Sequence, residues 1–177
     1  ASIEISSWLN SKGILHRHIN LPSEPTESFT EEIDQELEQF EKIQKGFRAL
    51  SNLTIGLIGG ESPWLISSHV NREYLQNRYS VGFKDIPVED LIERFKLEET
   101  NDSDSVRLIE SLIRNREDFI AEDSIRDAVK MYNAINYLCL KHNLDAFTIK
   151  CFDLLKPCTA TACLALSIMN DNGIIAG

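Results

Sequence analysis

The spacing of apolar residues along this chain changes character several times, and each change predicts an element. Residues 2–11 (SIEISSWLNS) bring Ile3, Ile5, Trp8 and Leu9 near one helical stripe, and Gly13 suits a helix C-cap. ILHRHINL (14–21) then alternates as a strand does, ended by Pro22 and Pro25. From Thr30 a long helix is predicted. Ile33, Leu37, Phe40, Ile43, Phe47 and Leu50 recur at steps of three to four, with Glu31, Glu32 and Asp34 in the first turn, where the helix dipole favours acids.

LTIGLIGG (53–60) is a continuous apolar run into two glycines, the mark of a buried strand. A short helix near 71–79 and a strand at 80–86 follow. A helix opens on Pro87, and further helices are expected at 104–116 and 122–142. The last of these carries Ile125, Val129, Tyr132, Asn136 and Cys139, flanked by Ala128 and Ile135. DAFTIKCFDLL (145–155) reads as a strand stopped before Pro157, then a helix of small residues (159–171), an Asn172-Gly173 exit and the start of a strand at 174–177. Strands alternating with helices at this spacing predict an α/β fold, a doubly wound, mostly parallel sheet flanked by helices in the Rossmann or flavodoxin manner. Ligands of such sheets gather beyond the carboxyl ends of the strands, here near 20–22, 59–63, 85–87 and 152–155.

Composition narrows the function. At 177 residues, 42% hydrophobic and 26% charged, the chain is expected to be one globular α/β domain over 1–177. A net charge of −10 with 18 Lys and Arg argues against nucleic acid and anionic membrane as partners. No apolar run reaches the roughly 18 residues of a membrane-spanning helix. The chain starts at Ala1 and ends on Ile174-Ile175-Ala176-Gly177 as a strand begins, which reads as a piece of a longer protein. The four cysteines, 139, 151, 158 and 163, fit buried free thiols in a reducing cytoplasm.

Candidate chemistry is sparse. Gly59-Gly60 follows a strand, but G-L-I-G-G-E-S-P-W lacks the third glycine of the dinucleotide fingerprint, and no phosphate-loop lysine follows. The glycines instead suit a tight turn. Ser62, Trp64 and Ser67 beyond them offer an aromatic face and hydroxyls, which suit a sugar. His16 and His18 share a face if 14–21 is a strand, but no third metal ligand is near, and solvent-facing histidines fit better. The cysteine gaps, C-x6-C and C-x4-C, do not match the paired spacing of a zinc knuckle. Asp153 carries more weight: at the carboxyl end of a strand it faces the usual ligand crevice, with a capping or loop role as the alternative. Asp171 in NDNG reads as helix-exit chemistry.

DAFTIKCFDLL, followed by ACLALSIMNDNGIIAG, resembles the segment joining the middle and C-terminal domains of the L-fucose / L-arabinose isomerase superfamily. IGLIGGESPWLISS is similar to the glycine-rich strand turn of the same family's fucose-isomerase-like branch. The resemblance covers about 53–83 and 145–177. It implies a middle-domain fragment of an aldose–ketose isomerase, with Mn2+ as the cofactor of the intact parent, a sugar as ligand, a homo-oligomeric assembly and a cytoplasmic setting. It also implies that Asp153 is a catalytic and metal-binding carboxylate, and that further metal ligands lie beyond Gly177. The arabinose branch's first metal-binding glutamate aligns with Phe152, which cannot bind a metal; Asp153 is its neighbour.

Overall fold

The computed structural model describes residues 2–14, 16–19, 24, 27–63 and 70–177. The chain falls into two compact units, Ala1–Ala49 and Leu50–Gly177. In the first, α1 (Ser2–Ser11) ends as Gly13 takes φ +66°, the left-handed conformation a glycine C-cap supplies. α2 (Glu27–Leu50) begins a turn earlier than the apolar spacing alone suggests. Its stripe is largely solvated, with Leu37, Ile43 and Phe47 exposed. Among the described residues of 14–19 no strand forms, so His16 and His18 share no strand face. Alternation alone does not make a strand; a ladder partner is also needed, and the described part of this unit holds no strand to pair with. Leu21, Pro22 and Pro25 lie outside the described residues.

The second unit is α/β. Its elements in order are β1 (Thr54–Ile58), α3 (Arg72–Tyr79), β2 (Gly82–Ile86), α4 (Val88–Leu97), α5 (Ser103–Arg114), α6 (Glu122–His142), β3 (Ala146–Ile149), a 3-10 turn (Cys151–Leu154), α7 (Cys163–Asp171) and β4 (Ile175–Ala176). The four strands form one sheet in the order β2-β1-β3-β4, and every pairing is parallel. The expected doubly wound sheet is therefore present.

Register decides which side chains reach the core. Ile58 pairs with Ile86 on one side and Ile149 on the other, so all three point to the same face. That face packs Leu91 and Phe95 of α4, Met131, Ile135 and Leu138 of α6, and Ala165 and Met169 of α7 into one cluster. The buried set of α6 is wider than the sequence stripe, adding Met131, Ala134 and Leu138, because the helix touches α4, α5 and α7 as well as the sheet. Helix starts follow local chemistry. Asn71 Oδ1 accepts the Tyr74 amide at 2.9 Å to open α3, and Asp102 accepts the Asp104 and Ser105 amides to open α5.

The opposite face carries Leu57 paired with Asp85 and Thr148, and Ile55 paired with Phe83 and Ala146. α3, within the β1–β2 connection, is tied to this face, since Arg72 at its start reaches Asp85. The helix between β1 and β2 is thus tied to one face, and α4 and α6, between β2 and β3, pack on the other. The strand order, with β2 on one side of β1 and β3 on the other, puts a topological switch point between the carboxyl ends of β1 and β3.

Candidate functional site at the carboxyl edge of the sheet

At the switch point the backbone is shaped by two glycines. Gly59 and Gly60 take φ +83° and +76°, a left-handed pair that other residues adopt at a cost. The Gly59 amide donates to Ile86 O at 2.9 Å and the Lys150 amide donates to Ile58 O at 3.0 Å, so the ends of β1, β2 and β3 are tied together here. The turn reading of Gly59-Gly60 is what the backbone shows.

Two hollows flank this turn. The first, about 400 Å³, lies against the Leu57 face and is lined among others by Gly60, Glu61, Ser62, Arg72, Phe83 and Phe152. The second, about 470 Å³, opens over the strand ends and is lined among others by Gly59, Asp85, Pro87, Glu89, Lys150 and Asp153. Gly60 and Leu57 border both. The first is walled mostly by apolar side chains with a few convergent polar groups, the usual make-up of a small-molecule site.

The polar groups are held in fixed pairs. Arg72 Nη1 donates to both carboxylate oxygens of Asp85 at 3.0 Å, while its Nε and Nη2 donate to Glu61 Oε1 at 3.3 and 3.2 Å. These two acids, Asp85 foremost, hold the guanidinium pKa above its ordinary value. The same guanidinium stands 6.0 Å from the Phe83 ring centroid. A fork that grips two carboxylates from different segments fixes α3 relative to the β1 and β2 ends. Across the second hollow, Lys150 Nζ lies 3.1 Å from Asp153 Oδ2.

The structure sorts the residues singled out in the sequence. Ser62 lines the first hollow. Trp64 and Ser67 lie outside the described residues. Asp153 does border the second hollow, but not from a strand. β3 ends at Ile149, and Asp153 sits in the 3-10 turn that follows, its amide donating to Lys150 O at 3.1 Å. The strand expected over 145–155 is shorter because Lys150, at φ −78° and ψ 72°, leaves the extended conformation. Phe152 beside Asp153 is exposed. Asp171 is the last residue of α7, with Asn172 at the C-cap and Gly173 at φ +85°, so this stretch does end the helix.

The resemblance places Mn2+ in the intact parent, with ligands beyond Gly177. Among the described residues no group of three or more His, Cys, Asp or Glu side chains converges on one point. Asp153 is engaged by Lys150 and Asp85 by Arg72. The described side chains therefore do not by themselves fit a divalent ion, which needs several oxygen or nitrogen donors aimed at one centre.

Sequence reasoning missed Arg72, Glu61 and Lys150. Asp85 was legible as a strand end, but its partner thirteen positions earlier was not. It also missed a pair of cysteines that the fold brings together. Cys151 follows β3 and Cys163 opens α7, and their sulfurs accept from the neighbouring residues Ala162 and Thr161. Cys139 and Cys158 are buried. Burial pushes the Cys139 thiol up to about 11 and raises that of Cys158 as well.

Among the described residues no helix is long and apolar enough to cross a membrane. No family model matches the chain, and no curated protein matches it.

Proposed function

We propose that the carboxyl-edge crevice between β1 and β3 binds a small polyhydroxylated molecule, a sugar, and that the protein works as part of a metal-dependent aldose–ketose isomerase. The observation that carries the reading is the meeting of Ser62, Gly60 and the Arg72–Glu61 pair on one hollow at the switch point of a parallel sheet. Apolar walls from Leu57 and Phe83 suit the C–H face of a sugar ring, and the hydroxyl and charged groups suit its hydroxyls. Asp153 on the neighbouring hollow is the carboxylate nearest to the role the resemblance gives it.

No proton-transfer or metal-dependent step is assigned to this chain, because its described side chains do not fit a divalent ion. Within an isomerase its part is the substrate pocket and subunit contacts, and alone it is inactive. Phe152, where the first metal-binding glutamate of the arabinose branch aligns, favours a second reading, a sugar- or metabolite-binding protein without isomerase activity.

Thermal unfolding with a panel of aldoses and ketoses tests the binding reading. At least one sugar should raise the midpoint, and Arg72→Ala should remove that rise. A panel without effect, beside a clear rise with NAD or ATP, would replace the sugar reading with a nucleotide one. Isomerase activity is a separate measurement. The protein with Mn2+, assayed across aldose–ketose pairs, separates the first reading from the second. Turnover by residues 1–177 alone would show that the metal argument is wrong.

A further inference from the structure

The cysteine pair beside the crevice is unused by the reading above. Cys151 Sγ accepts the Ala162 amide at 3.3 Å, and Cys163 Sγ accepts the Thr161 hydroxyl at 3.4 Å. Both sulfurs are thus held at the same short stretch, residues 161–162, of the β3–α7 connection. Eleven residues separate the two cysteines in sequence, so their approach is a product of the β3–α7 connection. Cys163 is exposed, at the first position of α7; Cys151 is half-buried behind it and also lines the first hollow. The other two thiols, Cys139 and Cys158, are 3% and 6% exposed and out of reach of reagents.

We infer that Cys151 and Cys163 are a dithiol site that closes to an intramolecular disulfide when the protein meets a hydroperoxide. The exposed Cys163 sulfur attacks one peroxide oxygen. The O–O bond breaks, an S–O bond forms, and water leaves, giving a sulfenic acid on Cys163. The Cys151 sulfur then attacks the Cys163 sulfur. The S–S bond forms as the S–O bond breaks, and the departing hydroxide takes the Cys151 thiol proton and leaves as water. Two thiols lose two electrons, and hydrogen peroxide is reduced to two waters. A reducing dithiol reverses the bond by exchange. Closure joins the 3-10 turn carrying Phe152 and Asp153 to the start of α7, so the site sits where it stiffens one wall of the crevice.

The arrangement divides the work between the two cysteines. The exposed one meets the oxidant, and the recessed one resolves the intermediate before it oxidises further. Without a neighbour, a sulfenic acid in peroxide proceeds to the sulfinic acid.

The test is disulfide mapping on the folded protein after treatment with hydrogen peroxide. Cleavage before aspartates places Cys151 on the peptide 145–152 and Cys158 and Cys163 together on 153–170, and fragmentation of the linked pair distinguishes the latter two. The expected result is a 145–152 peptide joined to 153–170 through Cys163, with loss of two hydrogens, and a fall in free thiols from four to two. Dithiothreitol should restore all four. Cys158→Ser should leave the link intact, and Cys163→Ser should abolish it. In Cys151→Ser, Cys163 should be recovered as the sulfinic acid. Three outcomes would overturn the inference: Cys151 recovered unmodified while wild-type Cys163 is a sulfinic acid, a link through Cys158 instead, or a disulfide between two protein molecules. Mapping of the wild type decides the matter even if a variant folds poorly.

Discussion

A β-carbon on Gly59 would stand 3.0 Å from Lys150 Cβ and 3.4 Å from Val88 Cβ. Gly59 follows β1 and Lys150 follows β3, and both line the second hollow. The left-handed φ of Gly59 adds a second reason for glycine.

Gly59→Ala therefore meets strain and crowding together. The expected cost is about 1–3 kcal/mol, from an unfavourable backbone conformation and an overpacked contact. Urea unfolding measures it. Gly60→Ala is the comparison: its φ is similarly positive but nothing stands within 4 Å of the added carbon, so it should cost less. Equal losses would mean that the contact with Lys150 contributes nothing.

Arg72 should not be replaceable by lysine. Its fork donates to Asp85 and Glu61 at once, and an ammonium cannot reproduce that geometry. Arg72→Lys is expected to lose about 0.5–1 kcal/mol, a modest figure because Asp85 is largely solvated. A double-mutant cycle with Asp85→Asn should show coupling of that order, shrinking at high salt. A coupling near zero would reduce the cluster to a surface contact.

The core prediction is larger. Leu91 is fully buried between α4 and the sheet face formed by Ile58 and Ile86. Leu91→Ala should cost about 2–5 kcal/mol, lost transfer energy plus the cavity left behind. Exposed Leu97, at the end of the same helix, should tolerate alanine with a change within about 0.5 kcal/mol. Chemical unfolding of the two variants side by side checks the contrast.

Much of the α/β unit was legible because its strands and helices obey local rules. The 53–60 run had to be buried to be apolar throughout, and the Asp102 and Asn71 caps lie just ahead of their helices. The failures come from what local pattern cannot contain. Residues 14–19 alternate as a strand does, yet the described part of their unit offers no partner ladder. Asp153 was placed on a strand that stops at Ile149, because the bend at Lys150 depends on pairing with β1 rather than on composition. The site suffered most. The Arg72–Asp85 pair and the Cys151–Ala162 bond beside Cys163 join different elements, and only the chain's path across the sheet makes them neighbours. Spacing rules for metal cysteines looked along the sequence, whereas this pair is assembled across a connection.

Acid stability provides the last prediction, through His142 at the end of α6. Its Nε2 is buried with no hydrogen-bond partner. Burial, then the charges of Lys84 on β2 and Lys141 on its own helix, hold its pKa below the ordinary 6.5, and Asp90 of α4 acts weakly the other way. The folded protein therefore prefers the neutral ring. As pH falls through 6.5 the unfolded chain binds a proton before the folded one does, so unfolding gains and stability declines. The decline continues until pH drops below the depressed folded value, and above pH 6.5 His142 contributes no slope. His142→Gln removes this titration while keeping a neutral polar side chain. Unfolding midpoints measured from pH 7.5 down to 5 should fall less steeply for the variant than for the wild type, the curves converging above neutrality apart from a constant offset. Parallel slopes across that window would show that the ring is protonated as easily in the folded protein as in the unfolded chain.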